Sequence, residues 1–560
     1  MREYVITLHN FDDLDDFYQD METPGGNLFI PDREVEVTHR RSVSRNTNYM
    51  LTEDEVSQLS RDPRVLAVEL TMEEMGIKLV PFGEIPTNTV EKTLTPTWTE
   101  GLPPVLWDKS NIIYTNVSQK NWGLLRCVEG VQRLGWGKDT TTKYFSNTLI
   151  NVTASGKNVD VVIVDGHMNP AHPEYAVNVD GTGGSRVTQY NWFSLNEVLG
   201  YGYGPNSTYM YTPYVPSADD DHGAHVAGTA AGNTQGWAHD ANIYNINPYT
   251  NISQYFLDYI KVWHTNKPIN PVTGIKNPTI TNHSYGSYAR FNVVDITSVR
   301  YNGTVYTGPF TSNQLINWGI YVPLAGIIET LVRIESIEAD LYDLMQMGVI
   351  VVGAAGNSSH KVALYSSVES NEYNNYYVES YLGYATTVFY NRGTISAAPG
   401  VICVGAISAG AAESKATYSN CGPRVDIYAP GELIMSSVNT TTGVVVADIR
   451  NTNFYATKLS GTSMASPQVT GILACFLEAN PRASQVDALN YITSTAKTGQ
   501  IFSFNLGLTD FTDLQGSVNR YLYFYKQRLD DGFVGPKVNS GVRPSTGQTW
   551  PRTNIFRYGS

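Results

Sequence analysis

Cysteine is scarce in this chain: there are four in 560 residues, Cys127, Cys403, Cys421 and Cys475. None forms a Cys-x-x-Cys pair, and their wide scatter is not a metal framework. Cys403 falls in an apolar strand-like run and Cys475 in a helix-like one, so buried free thiols are expected there, and a fold built on disulfides is not. Basic blocks are also missing. The formal net charge is −14, and Arg40-Arg41 is too short to grip a phosphate backbone, so no nucleic-acid partner is expected. Long apolar runs are absent as well. No segment approaches membrane-spanning length, and the opening Met1-Arg2-Glu3-Tyr4-Val5-Ile6-Thr7-Leu8 lacks a signal-peptide core. No membrane partner is expected.

What remains is an ordinary globular composition, with 42% hydrophobic residues and enough chain for two or three domains. Residues 1–76 read as a small α/β unit. Tyr4–Leu8 alternates as a strand, Phe11–Met21 suggests a helix, Thr52–Ser60 suggests another capped by Thr52, and Val65–Leu70 suggests a strand after the turn Asp62-Pro63-Arg64. Residues 77–120, rich in Pro and Thr, read as a linker. From 121 to 499 buried strand runs alternate with helical runs. The strands are Val161–Val164, Ala241–Asn247, Thr279–Ser284, Val349–Gly353, Val401–Ile407 and Val425–Tyr428. The helices are His222–Gly232, Tyr255–Trp263, a long one over Ile327–Met347, Ser463–Ala479 and Ser484–Ala496. Such alternation predicts a mostly parallel sheet with helices on both faces, with its site beyond the strand carboxyl ends. Long connections over Asp180–Pro216, Tyr288–Asn317 and Ser359–Ser396 imply binding surface or small subdomains. Residues 500–560 read as a C-terminal extension and tail.

Several short segments could carry chemistry. Val161-Val162-Ile163-Val164-Asp165 ends a buried strand on a carboxylate, and His222-Gly223-Ala224-His225-Val226-Ala227-Gly228 opens a helix of small residues. Val351-Val352-Gly353-Ala354-Ala355-Gly356-Asn357 ends a strand on an amide, and Gly461-Thr462-Ser463-Met464-Ala465-Ser466-Pro467 opens another helix. A hydroxyl needs a base within hydrogen-bond reach to become a nucleophile, and a buried carboxylate can hold that base in the working tautomer. Helix N–H groups at Ser463 and an amide such as Asn357 could face a developing oxyanion.

In this order the segments resemble those of the subtilisin-like serine proteases, the subtilases of peptidase family S8. The serine and histidine segments carry the resemblance most specifically. His172-Pro173-Glu174 and the stretch from Ser419-Asn420-Cys421-Gly422-Pro423 to Ala429-Pro430-Gly431 extend it over roughly residues 121–497. The resemblance implies an α/β fold with a doubly wound, mostly parallel sheet of subtilisin type. It also implies a serine endopeptidase with the triad Asp165, His222 and Ser463. Asn357 and the Ser463 N–H would form the oxyanion hole. Ser284, Tyr285 and Gly286 would pair with substrate backbone, and Ala354, Ala355 and Gly356 would line the pocket for the residue before the cut. Residues 1–76 resemble the family's propeptides, more loosely, through Tyr4–Leu8 and Val56–Leu70. The implied partners are polypeptide substrates and this segment itself, with autoprocessing.

Departures from the family pattern are informative. Gly166 and His167 follow Asp165 where a hydroxyl residue is usual, which puts the carboxylate's support in doubt; Ala224 and Gln468 replace Thr and His. The short stretch from His225 to Ala238 resembles the proteinase K branch. No cofactor is implied for the chemistry. A structural calcium is left open without ligands, since Asp219, Asp220 and Asp221 read equally well as solvated acids at a helix start.

An α/β-hydrolase esterase is excluded because no histidine follows Ser463. A metallohydrolase on His222 and His225 lacks the HExxH glutamate. The remaining alternative is a decayed protease scaffold with a structural or binding role. The lack of an export signal suggests an intracellular or virion-associated protein. Loops rich in Tyr, Asn and Thr, with the tail around Arg543-Pro544 and Pro551-Arg552, are similar in composition to phage virion proteins, so other virion proteins are expected partners on that reading.

Overall fold

The computed structural model describes residues 1–29, 33–82, 111–113, 121–129, 149–151, 154–192, 220–249, 255–324, 326–365, 370–381, 384–409, 413–439, 445–448, 450–503, 512–524 and 528–530. The tail from 531 onward, most of the long connection 180–216, and Asp219 lie outside the described residues.

The N-terminal unit runs β1 (Arg2–Leu8), α1 (Leu14–Glu22), β2 (Val37–Arg40), β3 (Asn46–Leu51), α2 (Glu53–Leu59) and β4 (Val65–Leu70). Its sheet has the antiparallel order β2-β3-β1-β4, the split βαβ arrangement. Thr52 caps α2 as the sequence suggests, in a full capping box with Glu55. A separate small core of Tyr4, Ile6, Leu8, Phe17, Met21, Tyr49, Leu51 and Leu59 holds the unit together. Within the stretch read as linker, Leu79–Pro81 forms a further strand, β5.

The larger unit contains β6 (Asp160–Val164), α3 (Asp220–Ala231), β7 (Asn242–Ile246), α4 (Phe256–Asn266), β8 (Thr279–His283), β9 (Tyr285–Asn292), β10 (Ile327–Leu331), α5 (Glu335–Gln346), β11 (Ile350–Ala354), β12 (Ile402–Ile407), β13 (Ile427–Pro430), α6 (Thr462–Ala479) and α7 (Gln485–Thr495). The strands β13-β12-β11-β8-β6-β7 lie side by side in one parallel sheet. Two short strands near the C-terminal extension continue it beyond β13. Strand residues point alternately to opposite faces, and β6 shows what that does. Val161 and Ile163 pack in one core with Ala227, Val469 and Ile472 from α3 and α6. Val162 and Val164 pack in the other with Phe256, Ile260, Leu341 and Leu344 from α4 and α5. An unbroken apolar run is therefore what a strand covered on both faces requires.

The helix expected over Ile327–Met347 is a strand and a helix instead. Ile327–Leu331 pairs antiparallel with Asn292–Tyr288, and only Glu335–Gln346 is helical. β-Branched Ile327, Ile328 and Thr330 suit a half-buried strand. The helix starts where Glu69, from the N-terminal unit, accepts the N–H groups of Glu335 (3.1 Å) and Ser336 (2.8 Å). The long connections read at 288–317 and 359–396 are not irregular. They form strands 296–301, 304–307, 376–381 and 384–389 of a four-stranded sheet with its own core of Val293, Val299, Leu315, Ile320, Tyr377 and Tyr390. All four cysteines are buried and free. No helix among the described residues is long and apolar enough to cross a membrane.

The N-terminal sheet sits on α4 and α5, and the contact is ionic. Arg41 donates twice to Asp258 (2.8 Å each) and also reaches Asp340. Lys261 donates to Asp340 at 2.6 Å, Ser44 to Asp340 at 2.6 Å, and Arg45 meets Asp343. Burying so many charges costs desolvation energy that only close pairing offsets. Arg41 and Lys261 together hold the Asp340 carboxyl down at about 2 against a burial effect that would raise it. Geometry in such a network tolerates little sliding, so it fixes how the two units meet.

Candidate active site

Asp165 follows the last residue of β6, where its N–H bonds the Ile246 carbonyl of β7 (3.0 Å). Strand order reverses at β6, since β7 lies on one side and β8 on the other, and such a point opens a crevice at the carboxyl ends. The carboxylate is fully buried. Its Oδ1 accepts three donors: the Gly166 N–H at 2.7 Å, His222 Nδ1 at 2.8 Å and the Tyr249 hydroxyl at 3.2 Å. Tyr249 belongs to the connection after β7 and supplies the hydroxyl that the sequence lacks at 166. The turn after Asp165 is held by Asn245, whose Nδ2 donates to the carbonyls of Ile163, Asp165 and Gly166.

His222 reaches Asp165 because α3 comes very close to that turn. A Cβ on Gly223 would stand 2.0 Å from the Gly166 carbonyl oxygen, a distance no side chain allows. Small residues along α3 serve the same close packing: Gly228 lies against Ser436 and Ser437. The neighbouring His225 has a different job. Burial pushes its pKa down to about 3, and its Nε2 bonds the Ile434 carbonyl at 2.8 Å, which ties α3 to the strand beneath it. Asp221 accepts the Asn439 N–H at 2.7 Å, a structural contact.

Ser463 is the second residue of α6, so its N–H is among those a helix leaves without an internal partner. Asn357 lies three residues past β11, close to that helix start. Its Oδ1 accepts the Thr462 N–H (2.9 Å) and hydroxyl (2.8 Å). With the oxygen so engaged, the amide presents Nδ2, a donor, on its other side; a Cβ at Gly461 would lie 3.2 Å from it. Asn420 shapes this loop by donating to the Ala355 carbonyl (2.8 Å) and accepting from the Ser358 and His360 N–H groups. Gly356 has φ +104°, and a Cβ there would meet the Asn420 amide at 2.6 Å, so glycine is required at that turn.

The expected backbone-pairing residues Ser284, Tyr285 and Gly286 are paired with β5. Tyr285 faces Pro81, Gly286 faces Val80 and Ser287 faces Leu79, antiparallel, and the Phe82 N–H bonds the Ser284 carbonyl at 3.2 Å. The Ser463 hydroxyl lies 3.2 Å from the Ser284 carbonyl oxygen and 3.4 Å from that of Phe82. Phe82, 1% exposed, packs with Ala354 and Leu331 and meets Tyr288 edge-on at 6.0 Å. Gly286 makes room for the ring, since a Cβ there would be 2.6 Å from Phe82 Cε1. Of the three residues expected to line this pocket, Ala354 does so. Ala355 packs in the main core, and the Gly356 N–H bonds Thr462 Oγ1 at 3.1 Å.

Sequence reasoning missed Tyr249, Leu331 and Tyr288, which lie outside the quoted motifs, and gave no role to Thr462, although it stands in the serine segment. Gln468, which replaces the usual histidine, is buried and accepts the Trp237 indole N–H at 2.8 Å. Glu174 is bound by Arg450 and by the Thr234 and Gln235 N–H groups, which hold its carboxyl at about 2 although burial alone would raise it. Among the described residues no group of three or more His, Cys, Asp or Glu could hold a metal ion, and no calcium ligands are assigned.

Residues 156–516 match the family model described as "Subtilase family". The chain belongs to the subtilase family. Among curated proteins, it is 27% identical over 366 residues to alkaline serine exoprotease A of Vibrio alginolyticus, covering 64% of this chain and 49% of that one. It is 30% identical over 162 residues to subtilisin DY of Bacillus licheniformis, covering 29% of this chain and 44% of the other. The chain thus spans about half the length of the curated relatives it matches. A solved structure, that of fervidolysin from Fervidobacterium pennivorans, a keratinolytic enzyme related to subtilisin, is similar at TM-score 0.45 and 20% identity, over 92% of this chain and 60% of that one.

Proposed function

We propose that this subtilase is a serine endopeptidase that cuts polypeptides through an acyl-enzyme, with Ser463 as nucleophile, His222 as general base and acid, and Asp165 as the group that orients and stabilises His222. Ser463 attacks the carbonyl carbon, and His222 takes its proton and returns it to the leaving amine. The Asn357 amide and the Ser463 N–H receive the oxyanion. The observation that carries this reading is the chain segment lying in the cleft as an added strand, with the Phe82 carbonyl oxygen 3.4 Å from Ser463 Oγ. Extended peptides bind sheet edges in this way, with main-chain bonds giving affinity and pockets giving selectivity.

Residues 1–82 then act as an internal inhibitor. The N-terminal unit grips α4 and α5 through Arg41 and Arg45, and its trailing strand fills the subsites. A decayed scaffold was suggested by the missing hydroxyl after Asp165 and by the long Tyr- and Asn-rich loops; the Tyr249 contact weighs against the first of these. A serine-directed fluorophosphonate tests the proposal. Labelling at Ser463 in the wild type freed of residues 1–82, and none in Ser463→Ala treated alike, is expected. A wild type freed of residues 1–82 that takes no label would refute it.

A further inference from the structure

We propose that the substrate cleft continues past the part that β5 fills, and that the outer edge of β9 from Tyr288 to Asn292 binds the fifth to ninth residues before the cut as an added antiparallel strand. The inference rests on the serine-endopeptidase reading and concerns how much of a substrate that site holds.

The hydrogen-bond parity of β9 carries it. The Ser287 carbonyl accepts the Val332 N–H at 2.9 Å, and the Val293 N–H bonds the Gly326 carbonyl at 2.9 Å. These bonds stand at the two ends of the antiparallel pairing between β9 and β10. In such a ladder every second residue turns its N–H and C=O to the same neighbour. Odd-numbered residues of β9 therefore bond β10, and even-numbered ones face away from it. On that other side the Ser284 carbonyl accepts the Phe82 N–H at 3.2 Å, and Gly286 lies opposite Val80 of β5. Tyr288, Arg290 and Asn292 turn their main-chain groups the same way. Past Ser287, no strand among the described residues pairs with that edge.

β5 stops there because the chain before it folds into a turn, in which Ile77 donates to the Met72 carbonyl (2.8 Å) and Gly76 to that of Glu73 (3.0 Å). The edge it leaves is accessible, with Arg290 and Asn292 exposed and Tyr288 half-buried. Pairing with β10, backed by the core of Val293, Ile328 and Tyr377, holds the edge in place without a partner. An open edge in line with an occupied one is where a longer extended chain continues.

Register assigns the positions. Counting back from the cut, with the place of Phe82 as first, Val80 is third and lies opposite Gly286. Continuing that pairing sets a substrate's fifth residue opposite Tyr288, its seventh opposite Arg290 and its ninth opposite Asn292. These three exchange main-chain bonds with β9, whereas the sixth and eighth point theirs away. The seventh also lies beside the Arg290 guanidinium, which meets Glu329 at 2.7 Å on its other side. An acidic side chain is favoured there over a basic one.

The test uses protein folded as the full chain and then separated from residues 1–82. One chromogenic peptide carries Leu-Val-Pro-Phe before the cut, and a second carries four more uncharged residues on its amino side. The longer peptide is expected to show a KM roughly tenfold lower, with kcat little changed. N-methylation at the fifth or seventh residue removes a paired donor and is expected to erase most of the gain, and at the sixth to leave it. Asp at the seventh is expected to lower KM roughly threefold relative to Lys. Arg290→Pro takes an N–H from the open edge and none from the ladder to β10, and is expected to shrink the difference between the two peptides. A short peptide that is cut while the longer one gains nothing overturns the inference and leaves the protease reading standing. So does a gain blunted equally by methylation at the fifth, sixth and seventh residues. Failure to cut either peptide overturns both.

Discussion

Changing Tyr249 to phenylalanine removes one oxygen and keeps the ring that packs edge-on against Tyr285 at 6.1 Å. The lost hydroxyl is one of three donors to Asp165 Oδ1, beside the Gly166 N–H and His222 Nδ1; Oδ2 is buried with no hydrogen-bond partner among the described residues. A hydrogen bond to a charged acceptor contributes about 1.5–3 kcal/mol. At 3.2 Å this one belongs at the low end, and about 1.4 kcal/mol is a tenfold change in rate. With the N-terminal segment removed, Tyr249→Phe is therefore expected to lower kcat roughly tenfold, with KM nearly unchanged. A carboxylate held less firmly should align less well with His222 and stabilise the imidazolium less, so the acid limb of the kcat–pH profile should move to lower pH. Hydrolysis of a chromogenic peptide ending in Phe, followed across pH, measures both. An unchanged kcat with an unmoved limb would show that Tyr249 is only packing.

Asn357→Ala is expected to lower kcat by roughly 10²–10³ with little change in KM, measured on the same peptide; an unchanged rate would remove Asn357 from the mechanism. Gly223→Ala would force a Cβ to within 2.0 Å of the Gly166 oxygen, so helix α3 must retreat; loss of fluorophosphonate labelling in a chain that still folds, as judged by circular dichroism, is the expected result. Burial at the interface pushes the Glu69 carboxyl up to about 7 from 4.5. A carboxyl whose pKa rises on docking keeps the docked state favoured below its free value, so docking weakens as pH rises from 4.5 to about 7 and then levels off. Inhibition of the processed protein by residues 1–82 should fall over that window, and Glu69→Gln should flatten the fall.

The residues to which the proposal gives the chemistry were legible because each sits where a regular element begins or ends. Asp165 closes an apolar strand run, Asn357 follows another, and His222 and Ser463 open helices whose small residues mark close packing. The parallel sheet was legible for the same reason, as both of its faces are covered and its strands must be apolar throughout. What escaped was set by partners distant in sequence. Leu79–Phe82 is too short to show a period, and it is a strand only because Ser284–Ser287 lies beside it. Ile327–Met347 keeps an amphipathic pattern across a strand and a helix, and the break lies where Glu69 caps the helix from another unit. Tyr249 lies outside every motif, yet it meets Asp165 across the crevice.

The proposed chemistry requires Asp165, His222 and Ser463 to act as one unit. Turnover of the Phe peptide by Ser463→Ala, His222→Ala and the double variant, each freed of residues 1–82, tests this directly. The double variant is predicted to be no slower than the slower single one, because each change already disables the whole unit. Losses that multiply in the double variant would mean that the two side chains work independently, and would contradict the account.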